Sequence, residues 1–346
     1  MLNDSRLGGG RIEWLDAMRG FTMLLVVCSH IELFMVGKPN FSINELFGEF
    51  RMPLFFFVSG FVFYKRNFHF GVNEVKTLLR KKIFVQVLSP LVFLLLFCQI
   101  KNIDFCHSLL TAAKSGYWFT FVLFEFFIIY FVLSILMDKI SLNGYKKDVL
   151  WIVIGLILYV ATALGHQHID QNISGLFSIE KLPYILYFIL GTILRKNWHE
   201  VEAMFDHRYT VAVLVIMFIG LNVFYDTFSQ LPLGGVLSVI ITAISGILLT
   251  VVFFRRYADS FSCNNRFGKI MQYVGRRTLD IYLIHYFFME SLTQFGILDF
   301  SGTTLSILQF LVCLVISVVV IAGCLIVSNV LRTSVLLGHY LFGAKS

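Results

Sequence analysis

The sequence predicts an all-α, polytopic membrane protein with about ten transmembrane helices and both termini in the cytoplasm. Three observations carry that prediction. The 346 residues are 58% hydrophobic and only 14% charged, against about a quarter charged in soluble domains. Apolar runs of roughly 20 residues, the length that crosses a bilayer as a helix, recur along the chain. The lysines and arginines fall almost entirely in alternate connecting segments, as a cytoplasmic bias requires.

The runs are, in order, 14–36, 47–64, 83–100, 117–137, 149–165, 182–194, 210–226, 233–254, 278–298 and 304–331, with charge, Gly, Pro or Asn at every break. The first begins near Trp14 and lacks a small-x-small cleavage site, so it reads as a span and not a removable signal. In the second, Pro53 suits a first helical turn, and Ser59–Gly60 permits close approach of a neighbouring helix. The third follows a basic stretch, KTLLRKKIFVQVLSP (76–90). The fourth, within GYWFTFVLFEFFIIY (116–130), carries Glu125 some eight residues deep. The sixth is short, and the second and fifth are near the lower limit. The ninth, GRRTLDIYLIHYFFMES (275–291), holds Asp280 near its inner edge, with His285 and Glu290 deeper. No internal repeat or low-complexity tract divides the chain, so a single transmembrane domain over 1–346 is expected.

With both ends inside, 23 of the 28 Lys and Arg residues are cytoplasmic, and only Lys38, Arg51, Lys101, Lys114 and Lys181 lie outside. The net charge of +7 therefore reflects topology and contact with the lipid bilayer; no nucleic-acid partner is needed to explain it. The six cysteines show no CxxC pair and no metal-ligand spacing, so neither a disulfide framework nor a metal site is expected.

A charged side chain near the bilayer centre costs about 2.5–3.5 kcal/mol on insertion scales, so the few such residues are informative. Arg19 and His30 are 11 residues apart, three helical turns, and share a face about 16 Å apart along the axis. Asp16, three residues before Arg19, joins that face and can pair with it. A snorkelling arginine and a structural histidine would account for the same pattern. Arg51 stands near the outer end of the second run. Arg80, Lys81 and Lys82, with Lys65, Arg66 and Lys76, form a basic cluster at the inner headgroup level, either as anchors or as a grip for a polyanion. A lone carboxylate at Glu125 calls for a proton or a cation, with His30 or Arg51 as partner. His285 either faces a cavity with His30 or is a helix–helix contact. On these residues alone the reading is a membrane protein with a buried polar site. That leaves an enzyme or a proton-coupled transporter, although neither a two-fold repeat nor paired Gly/Pro-broken spans are found.

LDAMRGFTMLLVVCSH (15–30) resembles the opening of the acyltransferase-3 family of integral membrane acyltransferases, where an Arg and a His separated by ten residues stand on the first helix. RMPLFFFVSGF (51–61) resembles its second-helix signature, and YWF (117–119), YFILG (187–191) and GRRTLDIYLIH (275–285) match further. The family often has two arginines separated by two residues before the third helix; here Val85 and Gln86 stand where the second is expected. The resemblance implies transfer of an acyl group, most often acetyl, from cytosolic acyl-coenzyme A as co-substrate, with no tightly bound cofactor and no metal. The implied acceptor is a hydroxyl of a cell-envelope glycan or lipid-linked saccharide, at a bacterial inner membrane. On this view His30, Arg19, Asp16, Glu125 and His285 form the catalytic set. Arg80, Lys81, Lys82 and Trp118 bind the donor, and Arg51 and Ser59 lie on the acceptor or oxyanion side. His30 then serves either as general base or as carrier of the acyl group itself.

Overall fold

Apolar side chains in lipid gain little by leaving it, so membrane helices associate through close packing, small residues and interhelical hydrogen bonds. The computed structural model describes residues 12–64, 72–140, 142, 144–231, 234–296 and 298–343. Arg6, Arg11, Lys65, Arg66 and Lys345 of the charge pattern lie outside the described residues, as does the side chain of Lys81. The described chain is helical nearly throughout, with no strand among those residues.

The principal helices are α1 (Glu13–Ile31), α2 (Ile43–Phe63), α3 (Val72–Ile83), α4 (Ser89–Lys101), α5 (Trp118–Asp138), α6 (Tyr145–Gly165) and α7 (Ile185–Lys196). They are followed by α8 (Arg208–Val223), α9 (Gly234–Arg256), α10 (Arg266–Arg276), α11 (Thr278–Ile284), α12 (Ser306–Leu331) and α13 (Val335–Phe342). Among the described residues, seven stretches are long and apolar enough to cross a membrane, or eight if the pair Trp198–Asp206 and Arg208–Val223, bent by 84°, counts as one. The sequence had suggested ten, and the difference is one of helix length. The run 182–194 forms a 12-residue helix, α7, only about 18 Å long at 1.5 Å per residue. The run 278–298 is not a continuous helix. Two helices, α10 and α11, meet at a kink at Arg277, and a 3₁₀ turn over His285–Phe288 ends them. Glu290 therefore lies beyond the helix end, not deeper along it.

The described chain falls into two compact units, each built from separate segments. One comprises the chain to Val58 and Asn197–Leu325; the other comprises Ser59–Lys196 and the chain from Ile326. In the first, α1 lies against α10 at a contact of backbone on backbone. A Cβ on Gly20 would stand 2.3 Å from the Met271 carbonyl oxygen, and one on Gly275 would stand 1.7 Å from that of Asp16. Only glycine admits such an approach. Phe21 packs on Phe254 of α9 at 5.6 Å between ring centroids, and Trp14 stacks on Trp198 at 5.8 Å. Arg255 lies over Trp198 and bonds Asp206 at 3.0 Å, fixing the segment before α8.

In the second unit the same small-residue logic holds at Gly60, where a Cβ would meet the Phe188 carbonyl oxygen at 2.0 Å. The close approach expected at Ser59–Gly60 is made there, between α2 and α7. Tyr130 of α5 stacks on Trp151 of α6 at 4.7 Å, and Phe63 packs among Phe127, Phe131 and Phe188. Between α3 and α4 the chain passes through a π-helical turn, Phe84–Leu88, and Pro90 lies in the first turn of α4 directly after it.

Candidate active site

The stripe on α1 forms as its spacing requires. Asp16, buried, pairs with Arg19 at 3.6 Å, and Arg19 Nη2 donates to Thr278 Oγ1 of α11 at 3.2 Å. At the kink just before α11, Arg277 pairs with buried Asp280 at 3.1 Å. The Gly20–Gly275 contact makes this possible, because it brings the start of α11 within reach of a side chain on α1. Thr278 lies inside the motif GRRTLDIYLIH, yet nothing in its spacing marked it as the partner of Arg19; the signal is long-range.

Three turns along α1, His30 Nδ1 and His285 Nε2 stand 2.9 Å apart in a hydrogen bond between residues 255 positions apart. The two rings lie nearly parallel, 5.1 Å between centroids and 9° between planes. His285 is fully buried. Its Nδ1 is 3.0 Å from the carbonyl oxygen of Ile281, and Tyr286 covers it at 4.0 Å between centroids. His30 is only partly buried and is flanked by Phe34 and Tyr286. Arg51 of α2 lies within electrostatic range of His30. The structure thus brings together Asp16, Arg19, His30, Arg51 and His285, all in the first unit.

Directly after α1 the chain widens into a π-helical turn, Glu32–Val36, a form common at functional sites. Two of its carbonyls are taken up from outside the turn. Met35 O accepts from Leu292 N at 2.9 Å, and Val36 O from Phe300 N at 2.8 Å. Glu32, the nearest acid to His30 in the chain, accepts a hydrogen bond from Asn44 Nδ2 of α2. Among the described residues, no carboxylate hydrogen-bonds the imidazole pair.

The remaining candidates belong to the second unit. Arg80 is exposed near the end of α3, and Lys82 Nζ lies 4.4 Å from the Phe127 ring centroid of α5. Trp118 opens the same helix, nine residues before Phe127. That separation is about 13 Å along the axis, so Trp118 and Lys82 stand at different depths of α5. Trp118 stacks on Tyr184 at 5.9 Å, with Lys181 Nζ 5.4 Å from its ring.

The sequence offers His30 or Arg51 as the partner of Glu125. The cation that acts on it is instead Lys114, and the imidazole facing His30 Nδ1 is oriented by the Ile281 carbonyl. The charge pattern puts Lys114 among the outer-loop charges. A left-handed turn at Lys114 and Ser115 folds its side chain inward, where Nζ donates to Gly175 O at 2.6 Å and to Leu109 O at 3.2 Å. Burial pulls the Lys114 ammonium down to about 8, and the Glu125 charge offsets part of that fall. Only the run Lys114-Ser115-Gly116, a composition suited to a tight turn, hinted at this. Gln86, near the place where a second arginine was expected, is buried in the π-helical turn between α3 and α4, with Oε1 unpartnered.

A first helix carrying Arg19 and His30, tied at both points to a second element carrying Thr278 and His285, supplies an anchored cation and an imidazole on one face. The family model described as an acyltransferase domain, Acyl_transf_3, matches residues 12–327. Searches of curated proteins and of solved structures return no match. Nearly the whole described chain lies within the family match, the α1 and α11 constellation included, and the chain belongs to the acyltransferase-3 family of multi-pass membrane acyltransferases.

Proposed function

We propose that this acyltransferase moves an acetyl group from cytosolic acyl-coenzyme A to a hydroxyl of a cell-envelope glycan or lipid-linked saccharide, in a bacterial inner membrane, with His30 as general base. The observation that carries this reading is the His30–His285 contact at 2.9 Å, three turns from the Arg19–Thr278 anchor on the same helix. A sugar hydroxyl is a poor nucleophile, and a neutral imidazole is the side chain suited to accept its proton near neutral pH. In the step, the His30 ring takes the hydroxyl proton as the oxygen attacks the thioester carbonyl. The C–S bond then breaks, and the departing thiolate takes the proton back to leave free coenzyme A. Arg51, near His30, suits the developing oxyanion.

Coenzyme A is a polyanion with a long flexible arm, and Arg80, Lys81 and Lys82, assigned to the cytoplasmic side by the charge count, suit its phosphates. Arg19 lies on the inner part of α1 and His30 farther out. That order fits a donor whose head stays in the cytosol while its thioester reaches toward an acceptor from the other side.

The test uses purified protein in proteoliposomes with labelled acetyl-coenzyme A and a pool of envelope glycan, following thiol release and transfer of label. Label in the glycan, lost in His30→Ala with the protein still monodisperse, is the expected result. Full transfer by that variant would remove His30 from the reaction. Binding of neither donor nor glycan would favour the solute transporter.

A further inference from the structure

We propose that His285 is the positioning residue that fixes the tautomer of His30, leaving Nε2 of His30 as the nitrogen that does the work; this rests on the acyl-transfer reading for its catalytic meaning only. A backbone carbonyl accepts and never donates, so the contact of His285 Nδ1 with Ile281 O at 3.0 Å places a proton on Nδ1 of His285. A neutral imidazole carries one ring proton, which makes Nε2 of His285 an acceptor. Nε2 faces His30 Nδ1 at 2.9 Å, so the proton in that bond sits on His30 Nδ1. His30 then has its lone pair on Nε2, to which the described residues offer no hydrogen bond.

The competing assignment, a doubly protonated His285 donating to His30, requires a buried positive charge. His285 is fully buried, and its hydrogen-bond partners among the described residues are main-chain groups of Ile281 and Tyr282 and an imidazole, none of them acidic. Such a charge is expensive to bury without a counter-ion, and Arg51, acting on His30, already places one cation in the site.

The consequence is chemical. Free in water, a histidine side chain favours the tautomer protonated at Nε2, which would put the lone pair of His30 on the nitrogen turned toward His285. The relay Ile281 O, His285, His30 enforces the other tautomer, with the base exposed and the protonated nitrogen anchored. Second residues that hold an imidazole in the right tautomer recur in triads of unrelated folds. Here the orienting group is a second imidazole fixed by a main-chain carbonyl, with no carboxylate.

Selectively ¹⁵N-histidine-labelled protein in lipid nanodiscs tests the assignment, because ring couplings distinguish a protonated Nδ1 from a protonated Nε2. The His30 signals are identified by their loss in His30→Gln. The expected spectrum shows His30 protonated at Nδ1 only, switching to Nε2 in His285→Leu. A His30 protonated at Nε2 in the wild type overturns the proposal, as does an unchanged tautomer in His285→Leu. In the transfer assay, His285→Leu should lose about 100-fold in kcat, the low end of what a positioned base supplies, with KM for the donor near wild type. His285→Gln, whose side-chain oxygen reaches where Nε2 stood, should recover a large part of it. Equal loss in both variants with intact folding overturns the positioning role. The predicted tautomers in a protein that transfers no acyl group would leave the relay standing and remove the function proposed for it.

Discussion

Gly275→Ala tests whether the active-site constellation depends on the backbone contact between α1 and α10. The new Cβ would stand 1.7 Å from the Asp16 carbonyl oxygen, and ordinary contact begins at 3.4 Å. Both obstructing groups are backbone, so no rotamer change relieves the clash, and α10 must withdraw from α1 by about 1.7 Å. The His30–His285 bond is 2.9 Å and ceases to be one beyond roughly 3.5 Å. If α11 follows α10, that bond and the 3.2 Å Arg19–Thr278 bond both break. The overpacking itself costs about 1–3 kcal/mol. Thermal unfolding in detergent should therefore show a lowered Tm, and the transfer assay should show a kcat deficit close to that of His285→Leu. Gly220→Ala is the control. Nothing lies within 4 Å of its Cβ position, and alanine is the better helix former, so both readouts should stay near wild type. Wild-type activity and Tm in Gly275→Ala would refute the dependence of the site on this contact.

Two further outcomes follow from the second unit. Arg80, Lys81 and Lys82 changed together to Gln should raise KM for acyl-coenzyme A about tenfold with kcat little altered, since such contacts hold the donor equally before and during reaction; an unchanged KM leaves them as headgroup anchors. Lys114, at about 8 in the folded protein against 10.5 for an ordinary lysine, binds fewer protons folded than unfolded between those values. Its contribution to stability therefore rises with pH across that window. Tm measured from pH 7.5 to 10.5 should contain this rise, and Lys114→Met should lack it; identical profiles would mean that Lys114 is not buried as described.

The sequence by itself determined everything that depends on local period and composition. Few charges and repeated apolar runs make the chain a membrane protein. A 3.6-residue turn alone places Asp16, Arg19 and His30 on one stripe of α1. The motif on α1 names the family before any fold is known. The tertiary structure decided the partners. His285 faces His30, and Thr278 bonds Arg19, because Gly20 and Gly275 let two backbones touch, a condition set jointly by residues 255 positions apart. It also decided that Glu125 answers to Lys114, since a left-handed turn reverses a side chain that charge counting places outside. The ninth apolar run shows the same limit. Its composition suits a span, yet it breaks at Arg277 and ends in a 3₁₀ turn at His285. Hydropathy measures whether a segment tolerates lipid, whereas the continuity of a helix depends on which neighbours take up its backbone groups and side chains.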